Sequence, residues 1–402
     1  MGIINVSNIS KKEIDNARLI VENKIKQLRD NTPNVKFEHN KLAEVEINKF
    51  FYEHKTVNRV MIVLRANGCE HYKQDGGCSM CSHFNGTDRS AKITTEEYIE
   101  QWQNVIDGIG LSDTKFDLND YPVVCVYNLG SLLNENEITT EAVQYIFKSL
   151  NQYKGVKKVI IESRAEYVTE EAIKNIADVY DGIVEVGIGV ESTNNLIREI
   201  CHHKGIDDIR KIENAVSILH RYNFKALAYI NFKPIFLTES EAIDDAIKTS
   251  IDCLNMKFDA ISIEPTSLQD YSLANKLYQI GQYRVPWLWS VRDIVKGVYD
   301  KVNDKVDLRL GGYFDEEVLS GSQGVGYNSK NEIFPHMTSL NCDKCSNKFI
   351  ECIKKFNMTY DINSLYEIEK CDKCYNLWED VKKIKDSRDI VTRVYDILGN
   401  EG

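Results

Sequence analysis

The sequence has no hydrophobic stretch that could cross a membrane, because no run of about 18 apolar residues occurs in it. It also lacks a secretory signal. The opening MGIINVSNISKKEIDNARLI carries charges where such a signal has its apolar core. These two absences predict a cytoplasmic protein with no membrane partner.

Basic residues are also in short supply. The chain has 50 Lys and Arg against 61 Asp and Glu, which gives a formal net charge of −11. A broad phosphate-binding surface needs many Lys and Arg contacts, so this composition disfavours one. A local basic groove stays compatible with it.

Cysteine, by contrast, is abundant. The chain contains 11 cysteines among its 402 residues. Because the reducing cytoplasm keeps thiols from forming structural disulfides, we expect metal ligation wherever these cysteines cluster.

Six short runs of β-forming residues alternate with segments of helical period, which is typical of a parallel sheet covered by helices. The runs are 59–66, 123–130, 157–164, 183–191, 225–234 and 260–267. A doubly wound α/β sheet would fit this alternation. Polar or Gly residues stand at nearly every strand end, however, and this favours a partial (β/α)6 barrel, whose active site is built at those ends.

The flanking segments follow other patterns. Residues 1–55 have apolar residues at three- and four-residue spacing in LIVENKIKQL and KLAEVEINKFF, which predicts an N-terminal helical extension. Residues 56–300 are assigned to the barrel. The alternation fails after residue 300, although DLRLGGYF could add a seventh strand, so 301–402 are predicted to form a small cysteine-rich domain.

A cysteine triplet directly follows the first strand. Cys69, Cys78 and Cys81 have the spacing C-x8-C-x2-C, with Gly76 and Gly77 between them to allow a tight bend. Three thiolates can bind three irons of a [4Fe-4S] cluster and leave the fourth iron open, as in radical S-adenosylmethionine (SAM) enzymes. A zinc site completed by His83 or His71 is the alternative. The place of the triplet after strand one of a barrel favours the cluster.

Polar residues at the strand ends are the candidate contacts of SAM. A planar guanidinium suits the SAM carboxylate, and carboxylates suit its amine and ribose hydroxyls. The alternative is that these side chains only cap helices or solvate loops. The candidates are Met80 in the cysteine loop and, at the strand ends, Asn128, Ser131, Glu162, Arg164, Glu191 and Lys233.

The tail contains two C-x2-C pairs, Cys342 with Cys345 and Cys371 with Cys374, separated by 25 residues. Each pair offers two thiolates from one turn, which predicts a four-thiolate zinc site. An auxiliary iron–sulfur cluster is the rival interpretation. Cys352 falls inside an intervening helix and is expected in the core.

The remaining cysteines and aromatic residues suggest core or loop positions. Cys125 and Cys253 are assigned to the core, and the pair His202 and His203 beside Cys201 is interpreted as a solvated loop. The segment YRVPWLWSV could stack a base, but core packing of its aromatic residues is favoured.

Several collinear motifs together resemble one family. They are GCEHYKQDGGCSMC, YNLGSLLNENE, IESRAEYVTEEAI, VGIGVES, FKPIFLTESEAI, IEPTS and YRVPWLWSV, spread over about residues 55 to 380. This series resembles the archaeosine-forming radical SAM lyases (RaSEA) and, more distantly, the elongator-type radical SAM proteins.

The resemblance implies a radical SAM barrel with cluster ligands Cys69, Cys78 and Cys81, and with Ser131, Arg164 and Glu191 at strand ends that contact SAM. It also implies a lyase acting on a modified 7-deazaguanine base in tRNA, supplied with electrons by a donor such as flavodoxin or ferredoxin. Two alternatives stay open: a radical SAM enzyme of the same fold that makes a small natural product, and a noncatalytic zinc-binding RNA or protein partner. The sequence does not indicate an oligomeric state.

Overall fold

The computed structural model describes residues 9–112, 115–302, 306–313, 317–321 and 339–399. The strands are β1 Glu44–Tyr52, β2 Lys55–Val63, β3 Val123–Tyr127, β4 Lys158–Ser163, β5 Ile183–Gly189, β6 Lys225–Phe232, β7 Ala260–Pro265, β8 Asp307–Leu310 and β9 Glu317–Gly321. The α-helices are α1 Lys11–Asp30, α2 Glu70–Asp75, α3 Thr95–Ile106, α4 Thr140–Leu150, α5 Glu170–Ala177, α6 Arg210–Arg221, α7 Glu239–Asn255, α8 Leu273–Gln279, α9 Leu288–Tyr299, α10 Ser346–Thr359, α11 Asp372–Lys383 and α12 Ile390–Leu398. None of these described helices combines the length and the apolar character that a membrane crossing requires.

All nine strands belong to one sheet, in the order β8-β7-β6-β5-β4-β3-β2-β1-β9. Strands β2 to β8 run parallel to one another, whereas β1 pairs antiparallel with both β2 and β9. Helices follow the parallel strands along the chain. The predicted alternation of strands and helices is therefore confirmed.

The sheet curls into a partial barrel. Strands β8 and β1 stand seven places apart in the sheet order, and a flat sheet would hold them roughly 34 Å apart at about 4.8 Å per strand. Instead, the guanidinium carbon of Arg309 on β8 lies 5.0 Å from the ring centre of Phe50 on β1. Arg309 also donates to Glu185 on β5 at 2.6 Å. The predicted partial barrel is confirmed, and the doubly wound sheet is not what the chain forms.

Side-chain caps define where the outer helices begin. Thr94 and Thr238 each form a capping box with the glutamate three residues later, Glu97 and Glu241, at the starts of α3 and α7. Such a box satisfies backbone N–H groups that the first helical turn leaves unpaired. A fixed start for each helix also fixes the length of the loop that precedes it at the barrel rim.

Residues 44–52 form a strand, so the helix predicted from KLAEVEINKFF is wrong. β1 and β2 make a hairpin in which Glu44 stands opposite Val63, and its turn residues Glu53 and His54 both have positive φ. This is the backbone of a type I′ turn, whose twist matches that of paired strands. The apolar residues of this segment fit both the three- and four-residue spacing of a helix and the alternation of a strand. Pairing with β2 selects the strand. The helix predicted from LIVENKIKQL is confirmed as part of α1.

The barrel sheet extends beyond residues 56–300 on both sides. β1 and β9 add two strands at one edge, and β8 continues the parallel sheet past the predicted boundary at residue 300. Asn357 of α10 donates to the carbonyl of Leu310 at 2.8 Å and accepts from its N–H at 2.9 Å. The cysteine-rich tail is therefore attached to the barrel through the last parallel strand.

Candidate active site

A cavity of about 470 Å³ opens at the carboxyl ends of the barrel strands. Its lining comes from strands β1 to β8 and from the loops that follow them. Six of the predicted site residues line this one space: Cys78, Met80, Cys81, Glu162, Arg164 and Glu191. These six residues therefore lie around one cavity, whereas the other predicted site residues of the barrel do not.

The cysteine loop reaches the cavity through a short helix and two glycines. α2 follows Cys69 directly and ends at Gly76, which has φ of +83°, and Gly77 follows with φ of +80°. Left-handed φ values of this kind favour glycine, and they turn the chain so that Cys78 and Cys81 face the cavity. The sulfurs of the three cysteines are not all within 4.8 Å of one another.

Burial controls the protonation of these thiols. It raises the pKa of Cys69 to about 11 and that of Cys81 to about 12, and it also raises the pKa of Cys78. Without a bound metal, the thiols are therefore protonated at neutral pH. A bound metal would displace those protons, because only a thiolate ligates it.

A π-helical turn at Ile197–Cys201 and the residues 202–204 that follow it pack against the cysteine loop. Ser79 donates its N–H to the carbonyl of His202 at 2.9 Å and its hydroxyl to the carbonyl of Cys201 at 2.6 Å. His203 Nδ1 donates to the carbonyl of Gly77 at 2.9 Å. The interpretation of this histidine pair as a solvated loop is therefore wrong, because both histidines are buried.

The GxG of strand β5 makes room for side chains. A Cβ on Gly187 would lie 2.4 Å from the Tyr229 ring, and one on Gly189 would lie 2.2 Å from Nζ of Lys204. Lys204 donates to Glu191 at 2.7 Å in a buried ion pair beside Cys78. Glycine at these positions lets a phenol and an ammonium occupy space that any other residue would fill.

Glu162 lies at the end of β4 in a network of buried polar groups. Burial raises its pKa from 4.5 to about 7; a hydrogen bond from Tyr229 opposes this shift, and repulsion from Glu264 adds to it. The carboxylate of Glu264 accepts a hydrogen bond from Ser262 at 2.6 Å, and burial raises its pKa too. The cavity therefore contains a carboxyl group that titrates near neutral pH.

This shift predicts a pH dependence of stability. The folded chain holds the Glu162 proton more tightly than the unfolded chain does. Its stabilising contribution is thus full below about pH 4.5 and is lost as the pH rises to about 7. Glu162→Gln mimics the protonated acid, so we expect it to raise the free energy of unfolding at pH 8 by on the order of 2 kcal/mol.

Thermal unfolding of wild type and variant at pH 5.5 and pH 8 measures this effect. The exposed Glu171→Gln, in helix α5, serves as the control and should leave the pH profile of the wild type unchanged. An equal pH slope for Glu162→Gln and wild type between these two values would contradict the prediction.

Three predicted SAM contacts and one cysteine do not line the cavity. Lys233 is paired with Glu239 at 2.8 Å and donates to the carbonyl of Arg284 at 2.9 Å, so it ties β6 to other segments. Ser131 accepts from the backbone N–H of Arg164 at 3.1 Å and thereby joins two strand ends. Asn128 is buried, with neither amide atom hydrogen-bonded. Cys69 is not among the residues that line the cavity. Its Cα would lie 3.3 Å from a Cβ placed on Gly130, which does line it.

The four tail cysteines meet in one compact group. Cys342 Sγ lies 3.5 Å from Cys345 Sγ and 3.9 Å from Cys371 Sγ, and all four sulfurs lie within 4.8 Å of one another. Backbone N–H groups of Cys374 and Lys373, at the start of α11, lower the pKa of Cys371 to about 6. The four thiols are thus placed to bind a metal, whereas Cys352 is buried in α10 and outside the group, as expected.

The aromatic residues of YRVPWLWSV belong to the core. Tyr283, Trp287 and Trp289 are buried, so core packing is confirmed over base stacking. Trp289 donates its Nε1–H to Sγ of Cys374 at 3.4 Å. This contact links helix α9 to the four-cysteine group.

Relatives of the chain are found among archaeal proteins, although no family model matches it. It is 35% identical over 317 residues to the uncharacterised protein MJ0550 of Methanocaldococcus jannaschii, covering 79% of this chain and 80% of that protein. Over 321 residues it is 29% identical to the archaeosine synthase subunit beta of Thermococcus kodakarensis, covering 80% and 90%. The chain belongs to the same protein family as MJ0550, and it is similar to the archaeosine synthase beta subunits (RaSEA). The subunit beta of Methanosarcina acetivorans, 29% identical over 326 residues, covers 81% of this chain and 85% of that protein.

Solved structures give only distant likenesses for this RaSEA-like chain. The archaeal Elp3 of Methanocaldococcus infernus has 12% identity and a TM-score of 0.38, over 54% of this chain and 51% of that one. HydG, a maturase of the [FeFe]-hydrogenase, has 11% identity and a TM-score of 0.42, over 98% and 96%. At such TM-scores nothing about the site follows from either structure.

Sequence reasoning missed several residues that surround the cysteine loop of this RaSEA-like chain. Lys204 and Tyr229 line the cavity, and His202 is fully buried with neither ring nitrogen hydrogen-bonded. The string CHHKG was the available signal, because Gly205 has φ of +71° and would bring its Cβ 3.0 Å from His71. A glycine of this kind indicates close approach of two segments.

Proposed function

We propose that this chain is a radical SAM enzyme of the RaSEA type, with Cys69, Cys78 and Cys81 as the ligands of a [4Fe-4S] cluster. The supporting observation is the loop of three cysteines beside a barrel cavity lined by Arg164, Glu191 and Lys204. Such a cluster would supply an open iron for SAM and the electron that splits its sulfonium.

The donor set of this loop fits a cluster better than a single metal ion. Three sulfurs that are not all within 4.8 Å of one another suit thiolates bound to separate irons. A single zinc ion would draw its ligands closer, since Zn–S bonds of about 2.3 Å in a tetrahedron put sulfurs about 3.8 Å apart. Neither His71 nor His83 completes a compact group with these cysteines among the described residues.

In the proposed enzyme the chain's own residues bind and orient SAM. Arg164 offers a guanidinium for the carboxylate of SAM, since it lines the cavity and its Nε is already held by Glu166 at 2.6 Å. Glu191, held by Lys204, offers a carboxylate for the amine or the ribose hydroxyls. Met80 adds an apolar contact from within the cysteine loop.

The four-cysteine group of the tail is proposed to hold zinc. Its sulfur separations of 3.5 and 3.9 Å are close to the roughly 3.8 Å edge of a zinc–thiolate tetrahedron. The four thiolates of an auxiliary cluster would bind four separate irons and stand further apart. The zinc would act as a structural clamp between the two C-x2-C pairs.

For the substrate we propose a modified 7-deazaguanine base in tRNA, on the strength of the archaeosine synthase relatives. The electrons would come from a donor such as flavodoxin or ferredoxin. A second candidate is a small natural-product precursor, which the net charge of −11 favours because an acidic chain repels a phosphate backbone.

Anaerobic reconstitution tests the proposal. The purified chain should contain about four irons and one zinc, and with SAM and a chemical reductant it should release 5′-deoxyadenosine. Failure to cleave SAM in a preparation with full iron content would overturn the radical SAM assignment. About eight irons without zinc would overturn the assignment of the tail.

The two candidate substrates are distinguished by two additions to the same assay. One is tRNA that this enzyme has not yet modified, and the other is a metabolite extract free of tRNA. A tRNA substrate should accelerate SAM cleavage and bind with a steep salt dependence, because phosphate contacts release counterions. Stimulation by the metabolite extract alone would favour the small molecule.

A further inference from the structure

Arg29 of helix α1 reaches across to the cysteine loop, although it lies about 40 residues before the first of the three cysteines. Its side chain is 6% exposed. Nε donates to the carbonyl of Gly76 at 2.8 Å, and Nη2 donates to the carbonyls of Cys78 at 3.1 Å and Cys81 at 3.0 Å. Nη1 donates to the carbonyl of Tyr271, on the segment between β7 and α8.

These four hydrogen bonds use the planar fork of the guanidinium. Carbonyls that point in different directions are held by one rigid group, and the loop on both sides of Cys78 is thereby fixed. The ring of Phe84 lies 4.3 Å from the guanidinium carbon and covers its face. A lysine ammonium at this position could not reach all four carbonyls at once.

Among the residues that the structure describes, the charge of Arg29 has no carboxylate counterpart. Several other buried cations in the described part of the chain are paired with a carboxylate within 4 Å, such as Lys204 with Glu191 and Arg393 with Glu241. No carboxylate of a described residue lies within that distance of Arg29, whose hydrogen-bond acceptors are backbone carbonyls. Because a buried charge is costly without a partner, an anionic group is expected close by. Cys81 and Cys78 are the groups whose negative charge would interact with it.

We propose that Arg29 is a positioning residue for the iron–sulfur cluster, which holds the cysteine loop in its ligating shape and raises the reduction potential of the bound cluster. The inference rests on the proposed cluster at Cys69, Cys78 and Cys81. One-electron reduction adds a negative charge to the cluster, and a cation held against its ligands favours the reduced form. The N-terminal helix thus becomes part of the redox site.

Two variants separate the geometric effect from the effect of charge. Arg29→Gln removes both the charge and the fork. Its cluster should be reduced at least tenfold less favourably at a given potential, a negative shift of 59 mV or more for one electron. Arg29→Lys keeps the charge, so its potential should stay close to that of the wild type, while its iron is lost faster to a chelator.

The measurements are a potentiometric titration followed by electron paramagnetic resonance, and the rate of iron release to a chelator, on the reconstituted full chain. Lys12→Gln is the matched control, because Lys12 is exposed and lies on the same helix, near the end away from the cysteine loop. It should behave as wild type in both measurements.

The outcomes distinguish this inference from the proposed function. A wild-type chain that takes up no cluster overturns the proposed function itself. A wild-type cluster with unchanged potential and unchanged iron release in Arg29→Gln overturns the role of Arg29 alone. An equal negative shift in Arg29→Lys and Arg29→Gln overturns the electrostatic part and leaves Arg29 as a purely geometric support.

Discussion

Replacing Cys78 with alanine is expected to reduce 5′-deoxyadenosine formation to background, a loss of roughly a thousandfold or more. Cys78 lines the cavity between the two glycines of its loop and Cys81. With two thiolates left, only two of the four irons would keep a protein ligand, and the chain would no longer retain the cluster. The iron content of the variant should therefore fall together with its activity.

Cys253→Ala is the matched control for this experiment. Cys253 is as deeply buried as any cysteine of the chain but lies in helix α7, away from both cysteine groups. The control should keep about four irons and the SAM cleavage rate of the wild type. If Cys78→Ala behaved like Cys253→Ala in both measurements, the assignment of the cluster ligands would be untenable.

The second large effect is expected from Cys345→Ser in the tail. The variant should lose its zinc and lower the free energy of unfolding by about 3 to 5 kcal/mol, because a structural zinc site contributes folding energy directly. The loss should spread to helix α9, since Trp289 bonds to Cys374 and packs at 5.0 Å against the Phe349 ring.

Cys352→Ser provides the comparison within the same unit. Cys352 is buried in α10 but lies outside the compact sulfur group. It should retain about one zinc, and its destabilisation should be limited to roughly 1 kcal/mol for a buried polar substitution. Metal analysis and chemical unfolding of the two variants measure both quantities. Retention of a full zinc equivalent by Cys345→Ser would refute the assignment, and loss of iron together with zinc would show that the two sites are not independent.

Much of the fold was accessible from local patterns. The parallel strands are runs such as VVCVY and KVIIES, which are buried on both faces and therefore almost continuously apolar. The helices between them carry a clear 3.6-residue period and recognisable caps, as at Thr238. Both signals are short-range, so one chain without relatives is enough to detect them.

β1 shows where such patterns fail. Val45, Ile47 and Phe51 fit a strand, while Leu42 and Val45 fit a helix, and nothing local separates the two. The hairpin with β2 selects the strand. The backbone N–H and C=O groups of this segment need hydrogen-bond partners in either conformation, and β2 provides them for a strand. Similarly, the burial of His202 could not be predicted, since it depends on a π-helical turn packing under a loop about 120 residues earlier.

For the site itself, cysteine spacing was sufficient to separate two groups of candidate ligands, because pairs of thiolates that share a metal or a cluster commonly come from tight local turns such as C-x2-C. It was not sufficient to say what surrounds them. Arg29 bonds to Cys81 across 52 positions of sequence, and Lys204 stands beside Cys78 only because Gly189 leaves space for it. The spacing of the cysteines in the sequence thus identifies candidate ligands. Their charge environment and rigidity come from segments that only folding brings together, since burial and hydrogen-bond partners are properties of the packed chain.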